Sequence, residues 1–288
     1  MSDKEIDAHS GVQTTGHEWD GIKELNNPLP RWWLWTFYGC IIFAAVYMVL
    51  YPAWPLLGSA TPGVLGYSSR ANLDADLAAA KQAQGATLAK IESTPVAGIL
   101  ADEELARFAQ AGGRSFFKVN CIQCHGTGAE GAKGYPNLND DEWIWGGNID
   151  QIYTTIVHGS RSTADADTHS NTMPSFGADA MLTQDQIVAV ARQVASFSGM
   201  EGGAATPEGA QLFADNCAGC HSETGGGNAD LGAPSLADPI WLYGNDLTGI
   251  ESQITKPRHG VMPAWGSKLS DSTIKQLAVY VYSLGGGQ

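Results

Sequence analysis

Residues 120–126 read NCIQCHG, and residues 216–222 repeat this stretch as NCAGCHS. The chain has five cysteines, and four of them lie in these two C-x-x-C-H motifs. Such a motif is compatible with a structural zinc site, a redox dithiol or the covalent attachment of a c-type haem. The residues that surround the two motifs decide among these chemistries.

The two motifs belong to a longer internal repeat, with an offset of 96 to 98 residues over its first part. GRSFFKVNCIQCH, which starts at Gly113, matches GAQLFADNCAGCH, which starts at Gly209. Self-similarity of this kind indicates two copies of one structural unit. The later matches are Pro136 with Pro234, Leu138 with Leu236, Trp143 with Trp241, and MPSF from Met173 with MPAW from Met262.

Each repeat is predicted to be all-α. Apolar residues recur at helical spacing from Ile187 in repeat one and from Ile274 in repeat two, and neither repeat alternates as strands do. A helix is also expected to lead into each motif. The predicted N-terminal signals are Glu103 and Thr206-Pro207 for the helices before the motifs, and the Thr183/Gln186 capping box and Ser270 for those that end the repeats.

Haem attachment uses every residue of the motif. Two cysteines three apart can form thioethers to one porphyrin, and the next residue, histidine, then lies beneath the iron. Zinc would need further ligands in each repeat, and a histidine directly after the cysteine pair closes a tetrahedron poorly. A redox dithiol normally follows a strand, which neither repeat predicts. We therefore predict two covalent haem c groups, one on Cys121, Cys124 and His125 and the other on Cys217, Cys220 and His221.

Methionine is the predicted sixth ligand of each iron. Of the six methionines, only Met173 and Met262 occupy equivalent positions in the repeats. Each precedes a proline, which favours a rigid extended loop, and a thioether opposite histidine raises the reduction potential. We assign each methionine to the haem of its own repeat, because each repeat looks complete. A crossed arrangement is also compatible with the sequence.

Histidines are the alternative sixth ligands. His158 and His259 correspond in the two repeats, but a hydrogen-bonding role near the haem edge is the simpler interpretation. Between His158 and Met173, repeat one carries twelve residues that repeat two lacks. This insertion contains His169, for which we predict solvent exposure in a contact loop. The matched aromatic residues Phe117, Phe213, Trp143 and Trp241 are interpreted as packing residues rather than electron relays.

Residues 32–51 contain no charge and, as a helix, would span about 30 Å, the thickness of a bilayer core. Aromatic residues at both ends favour the headgroup level. A cleaved signal peptide is disfavoured, because the run is long and its leader is acidic. Lys23 and Arg31 precede the span and only Arg70 follows it closely, which places the N-terminus in the cytoplasm. Cys40, within the span, is interpreted as a small apolar residue.

The net charge of -14 disfavours nucleic-acid binding and favours a basic protein partner. The predicted organisation is then a cytoplasmic segment (1–31), a transmembrane helix (32–51), a linker (52–102) with a helical or loosely ordered part broken by Gly85, and two domains (103–200 and 204–288).

With these features the chain resembles the dihaem membrane subunit of cbb3-type cytochrome c oxidases, called CcoP or FixP. The resemblance rests on NNPLPRWWLWTFYG from Asn26, on YPAWP from Tyr51, on both C-x-x-C-H motifs and on MPSF and MPAW. It implies a membrane anchor carrying two tandem class I cytochrome c domains on the periplasmic side of the bacterial inner membrane. Some members have a second transmembrane helix, whereas one is predicted here.

The resemblance further implies the partners and the direction of electron flow. Electrons would come from a c-type cytochrome donor and pass, through a monohaem subunit, to a catalytic subunit that reduces oxygen. The chain alone would then not be an enzyme. The alternatives are a free-standing anchored electron shuttle and a dihaem peroxidase or gas sensor, and the last two would need an iron with an open coordination position.

Overall fold

A computed structural model describes residues 5–287 of the chain. These residues divide into two units, one ending at Ala83 and one beginning at Gln84. Most regular structure is helical, as predicted, apart from one short hairpin. The elements are β1 (Thr14–Trp19), β2 (Ile22–Leu25), α1 (Arg31–Leu50), α2 (Ser69–Ser93), α3 (Val96–Ala101), α4 (Glu103–Asn120), α5 (Ile122–His125), α6 (Ile149–His158), α7 (Gln184–Phe197), α8 (Pro207–Asn216), α9 (Ala218–His221), α10 (Leu247–Thr255) and α11 (Asp271–Tyr282), with a 3-10 turn at Ala229–Leu231.

Helix α1 is the predicted membrane span. It begins directly after Pro30 and ends before Tyr51, within one residue of the predicted bounds. None of its side chains is buried by the rest of the chain. Within residues 5–287 it is the one helix that is long and apolar enough to cross a bilayer. A helix that is apolar all round and leaves its side chains uncovered is suited to lipid.

A short hairpin, absent from the sequence-based expectation, precedes the membrane helix. Strands β1 and β2 pair antiparallel, with Trp19 opposite Ile22. The turn between them is Asp20-Gly21, and both residues have positive φ, at 49° and 84°. Asp-Gly turns of this kind match the twist of hairpin strands, so this dipeptide was the available signal.

Helix α2 is continuous through Gly85, where the sequence predicts a break. A glycine in a helix interior costs about 1 kcal/mol relative to alanine, and the surrounding alanines offset this cost. The expected helical linker is therefore one long helix.

The predicted helix starts of the second unit are confirmed. In each case a side chain accepts a hydrogen bond from a backbone N–H of the first turn, which otherwise has no partner. The caps are Asp102 for α4, Thr183 with Gln186 for α7, Thr206 with Pro207 for α8, and Ser270 for α11.

The second unit has two apolar cores, and each draws helices from both repeats. The first core packs α4 and α6 of repeat one against α11, the last helix of repeat two. The second core packs α8 and α10 of repeat two against α7, the last helix of repeat one. This differs from the expectation that each repeat is complete in itself, because the repeats have exchanged their final helices.

The short connection between α7 and α8 favours this exchange. Consecutive elements joined by few residues are usually neighbours in space. The connection also folds back onto α7, since Ala204 N donates to Arg192 O at 3.1 Å and Met200 N donates to Ala195 O at 2.9 Å. Helix α7 therefore packs on α8. Helix α11 packs on α4 in the equivalent position.

An equivalent glycine in each repeat permits the closest helix crossing. A Cβ atom on Gly113 of α4 would lie 2.0 Å from the carbonyl oxygen of Gln276 in α11. A Cβ atom on Gly209 of α8 would lie 2.7 Å from the carbonyl oxygen of Ala189 in α7. Backbone contact this close leaves no room for a side chain. The same crossing is thus built twice, each time between helices of different repeats.

Replacing Gly113 by alanine is expected to lower the free energy of unfolding of the second unit by about 1–3 kcal/mol, because α4 and α11 must move apart. Gly85→Ala in α2 is the matched control, since nothing lies within 4 Å of the added Cβ atom. This control is expected to be stabilising, by about 0.5–1 kcal/mol. Urea denaturation followed by circular dichroism measures both changes. Equal stability of the two variants would contradict the tight crossing.

Candidate haem-binding sites

Each C-x-x-C-H motif forms one short helical turn after a long helix. Helix α5 follows α4 after Cys121, and α9 follows α8 after Cys217. The residue after each histidine has positive φ, 82° at Gly126 and 62° at Ser222. This left-handed backbone turns the chain sharply away directly after the histidine. The histidine therefore ends the helical turn in both repeats.

The Nδ1 atom of each motif histidine makes a hydrogen bond to a backbone carbonyl group. The Nδ1 atom of His125 lies 3.0 Å from the carbonyl oxygen of Pro136, and that of His221 lies 3.0 Å from the carbonyl oxygen of Pro234. A carbonyl can only accept, so Nδ1 carries the proton and Nε2 keeps its lone pair. Burial lowers the pKa of both histidines, and the carbonyl bond opposes part of that shift. Each imidazole is therefore neutral, with Nε2 free to bind a metal.

The two cysteines of each motif lie in different environments. Cys121 and Cys217 are partly buried against the two cores, whereas Cys124 and Cys220 are exposed. Burial, with the neighbouring thiol as a smaller cause, raises the pKa of Cys121 and of Cys217 to about 11. A thioether carries no charge and tolerates such burial, so the buried cysteine suits covalent attachment to haem. The donor set fits haem c.

Each methionine packs against the same core as the first cysteine of the opposite repeat. Met262 and Cys121 pack against the first core, and Met173 and Cys217 pack against the second. This packing favours the crossed arrangement over the assignment of each methionine to its own repeat. Backbone hydrogen bonds fix each methionine loop to a helix of the other repeat: Trp265 N to Ile156 O at 3.1 Å, Gly266 N to Val157 O at 2.9 Å, and Gly177 N and Ala178 N to Thr255 O at 3.2 and 2.9 Å.

The two histidines considered as alternative ligands lie outside the motifs. The Nδ1 atom of His158 lies 3.1 Å from a carboxylate oxygen of Asp165, and both side chains are partly buried. Burial lowers the pKa of His259, and the backbone of Met173 opposes part of that shift. His158 thus joins the end of α6 to the insertion.

The predicted solvent exposure of His169 is wrong. Its ring stacks on Trp145, with centroids 4.3 Å apart and planes 9° apart, and its Nε2 atom lies 3.2 Å from Thr155 Oγ1. Burial lowers the pKa of His169. The insertion packs against the rest of the second unit, because the backbone of Ser160 forms β-bridges with both His169 and Met262. The prediction failed because the aromatic partner lies 24 positions away in sequence.

Two aromatic residues that sequence reasoning missed lie between the repeats. The Trp145 ring is 2.1 Å from the place where a Cβ atom on Gly232 would lie, and the Tyr243 ring is 3.4 Å from the equivalent place on Gly134. Each aromatic residue follows the matched tryptophan of its repeat by two positions. Each glycine precedes the histidine-binding proline by two positions. This equal spacing in the two repeats is the sequence pattern that could have identified Trp145 and Tyr243.

The carboxyl groups of Glu142 in repeat one and Asp238 in repeat two lie close to each other. Asp238 Oδ1 accepts from Ile240 N at 2.8 Å, whereas Oδ2 is buried and has no donor within residues 5–287. Burial, followed by the contact with Asp238 and repulsion from Asp141 and Asp140, raises the pKa of Glu142 to about 7. A proton on Glu142 would supply the missing donor to Asp238. We therefore expect the two carboxyl groups to share one proton below about pH 7.

This shared proton predicts a pH-dependent stability. Because the folded state holds a proton on Glu142 that the unfolded state releases near its ordinary pKa of 4.5, the free energy of unfolding falls as the pH rises from 4.5 to about 7. Glu142→Gln keeps a neutral donor and removes this titration. We expect the variant to match the wild type near pH 4.5 and to be more stable above pH 7.

Chemical denaturation across this pH range measures the effect. Glu201→Gln is the matched control, because Glu201 is exposed and is not among the groups that shift the pKa of Glu142. A stability difference between Glu142→Gln and wild type that stays constant with pH would argue against the shared proton.

The chain matches two family models. The model described as the N-terminal domain of cytochrome oxidase-cbb3, FixP, matches residues 11–58. The model described as cytochrome C oxidase, cbb3-type, subunit III, matches residues 108–192 and 204–281, one match for each repeat. Together they cover most of the chain.

Curated relatives are similar over almost the whole length. The FixP subunit of the cbb3-type cytochrome c oxidase from Sinorhizobium medicae is 53% identical over 99% of this chain and 98% of the relative. The CcoP subunit from Cereibacter sphaeroides is 49% identical over 96% and 95%. The CcoP subunit from Azospirillum brasilense is 50% identical over the full length of both chains.

Proposed function

Because this chain belongs to the FixP/CcoP family of cbb3-type cytochrome c oxidase subunits, we propose that it relays electrons from a c-type donor through two haem c groups. It is an electron-transfer subunit of the oxidase complex and not its catalytic subunit. The other oxidase subunits are its partners, and α1 is its membrane anchor. In the proposed direction, electrons leave towards the catalytic subunit through a monohaem subunit.

The proposed ligand sets cross between the repeats. Haem one would be held by Cys121, Cys124 and His125 of repeat one and would take its sixth ligand, Met262, from repeat two. The second haem would have the converse set, which is Cys217, Cys220, His221 and Met173. The observation that carries this proposal is that each methionine packs against the same core as the first cysteine of the opposite repeat.

Bound haem c supplies a one-electron Fe(III)/Fe(II) couple. The residues of the chain would tune that couple. A neutral histidine whose Nδ1–H is held by a proline carbonyl is a fixed, basic ligand. A thioether prefers Fe(II) and raises the potential. With a histidine and a methionine available to each haem, the sites would suit electron transfer rather than binding of a substrate.

The proposed orientation has the second unit in the periplasm. Lys23 precedes α1 and Arg31 is its first residue, while only Arg70 follows the helix within twenty residues, which favours a cytoplasmic N-terminus. The net charge of -14 favours a basic donor, since complementary charge speeds encounter.

Two covalent haems per chain are expected. The colour should remain with the polypeptide in acidified acetone, and a pyridine haemochrome assay should count two haems. Cys121→Ala/Cys124→Ala and Cys217→Ala/Cys220→Ala should each leave one, because thioether bonds hold each haem. Stoichiometric zinc, or colour that leaves with the solvent, would contradict the proposal.

The crossed ligation can be tested in these one-haem proteins. In the protein that keeps only haem one, Met262→Ala should abolish the Fe(III)–methionine charge-transfer absorption, lower the midpoint potential and allow carbon monoxide to bind the reduced iron. Met173→Ala in the same protein is the matched control and should change none of these. The protein that keeps only haem two should show the reverse pattern.

Each methionine acting on the haem of its own repeat would refute the crossed arrangement and leave the electron-transfer role intact. Fast carbon monoxide binding to the unmodified protein would instead refute filled axial positions. That result would favour a peroxidase or a gas sensor.

A further inference from the structure

The loops that carry the two methionines meet at one arginine. Arg161 lies in the insertion of repeat one. Its Nε atom donates to the carbonyl oxygen of Gly260 at 2.7 Å, and its Nη1 atom donates to the carbonyl oxygen of Asn171 at 3.2 Å. Gly260 lies two residues before Met262, and Asn171 lies two residues before Met173. One guanidinium therefore binds equivalent carbonyls of both methionine loops.

The surrounding residues hold this arginine in place. Its backbone N–H donates to His169 O at 2.7 Å, and its guanidinium lies over the Trp145 ring, with Cζ 5.9 Å from the centroid. Trp145 Nε1 in turn donates to Ser160 Oγ at 3.2 Å, and Ser160 exchanges two backbone hydrogen bonds with Met262. Arg161 itself has φ of 53°, a conformation rare for a residue with a side chain. Such a backbone persists where contacts on several sides determine it.

The side chain of Arg161 is suited to binding the carbonyl groups of both methionine loops. A guanidinium has five N–H donors in a rigid plane, so it can bind two carbonyls at once, which an ammonium group does less well. Within residues 5–287 Arg161 makes no ion pair with a carboxylate. Its positive charge therefore has no carboxylate partner beside the two methionine loops, and it would favour the reduced form of an iron bound there.

Repeat two has no counterpart of this residue. It lacks the insertion, and its own arginine in the region, Arg258, stacks over Tyr243 at 4.9 Å and bonds to Gln253 Oε1 and Tyr243 O. Arg258 is exposed and touches neither the Gly260 nor the Asn171 carbonyl through a hydrogen bond. Of these two arginines, Arg161 is therefore the one that bonds to both methionine loops.

We propose that Arg161 is a positioning residue for both irons, because one guanidinium holds the loops of both Met173 and Met262. This inference rests on methionine ligation as proposed above. It assigns a role to the insertion, which is to join the two sixth-ligand loops.

The test uses the full-length protein with both haems and three variants. Arg161→Gln removes the charge and most donors, Arg161→Lys keeps the charge but loses the planar pair of donors, and Arg258→Gln is the matched control. The measurements are the Fe(III)–methionine charge-transfer absorption, a redox titration resolving both haems, and carbon monoxide binding to the reduced protein.

Arg161→Gln is expected to remove more than half of the charge-transfer absorption, which exceeds the share of one haem, and to lower both midpoint potentials. Arg161→Lys should lose absorption in the same way with a smaller fall in the potentials. Arg258→Gln should match the wild type. Carbon monoxide binding should rise in both Arg161 variants.

The proposal is overturned if both Arg161 variants keep the full charge-transfer absorption, or if only one haem responds. Haem content and circular dichroism identify a variant that has lost its fold, and Arg161→Lys then provides the test. A wild-type protein without methionine charge-transfer absorption would refute methionine ligation itself. This result is distinguishable from a failure of the proposed role of Arg161, which would show only in the variants.

Discussion

The close crossing of a motif helix with the final helix of the other repeat is the constraint on which the second unit depends. At Gly113 and at Gly209 the two backbones approach so closely that no side chain fits between them. In this structure the final helix of the other repeat buries the helix before each motif. The hydrophobic free energy of each core is therefore gained only when both repeats are folded together. This explains why residues 84–288 form one unit and not two.

The exchange of helices carries the methionine loops with it. Met262 lies nine residues before the start of α11 and Met173 eleven residues before the start of α7, so each loop packs against the same core as the helix that follows it. The proximal side of each site stays local, because each histidine bonds to a proline eleven or thirteen residues later in the same repeat. Under the proposed ligation, each iron would be bound from both repeats. A change in the packing between repeats would then reach both haems.

Much of the local structure was predictable, because its causes lie within a few residues. The Thr183/Gln186 capping box, the Thr206-Pro207 start and the apolar span before Tyr51 are all found where the sequence places them. The environment of His169 was not predictable, since its stacking on Trp145 is a contact between distant segments. The same holds for Arg161, whose partners Gly260 and Asn171 lie on two different loops.

The sequence by itself determined the elements of this protein: the membrane helix, the helices of each repeat, and the cysteines, histidines and methionines that are the candidate haem ligands. These follow from periodicity, caps and motif spacing, which act over one or two helical turns. The tertiary structure alone decided which repeat completes which core. Helices α7 and α11 have the same apolar pattern, so either could pack on α4. The choice depends on the length of the α7–α8 connection and on contacts between residues far apart in the chain, and no local pattern records them.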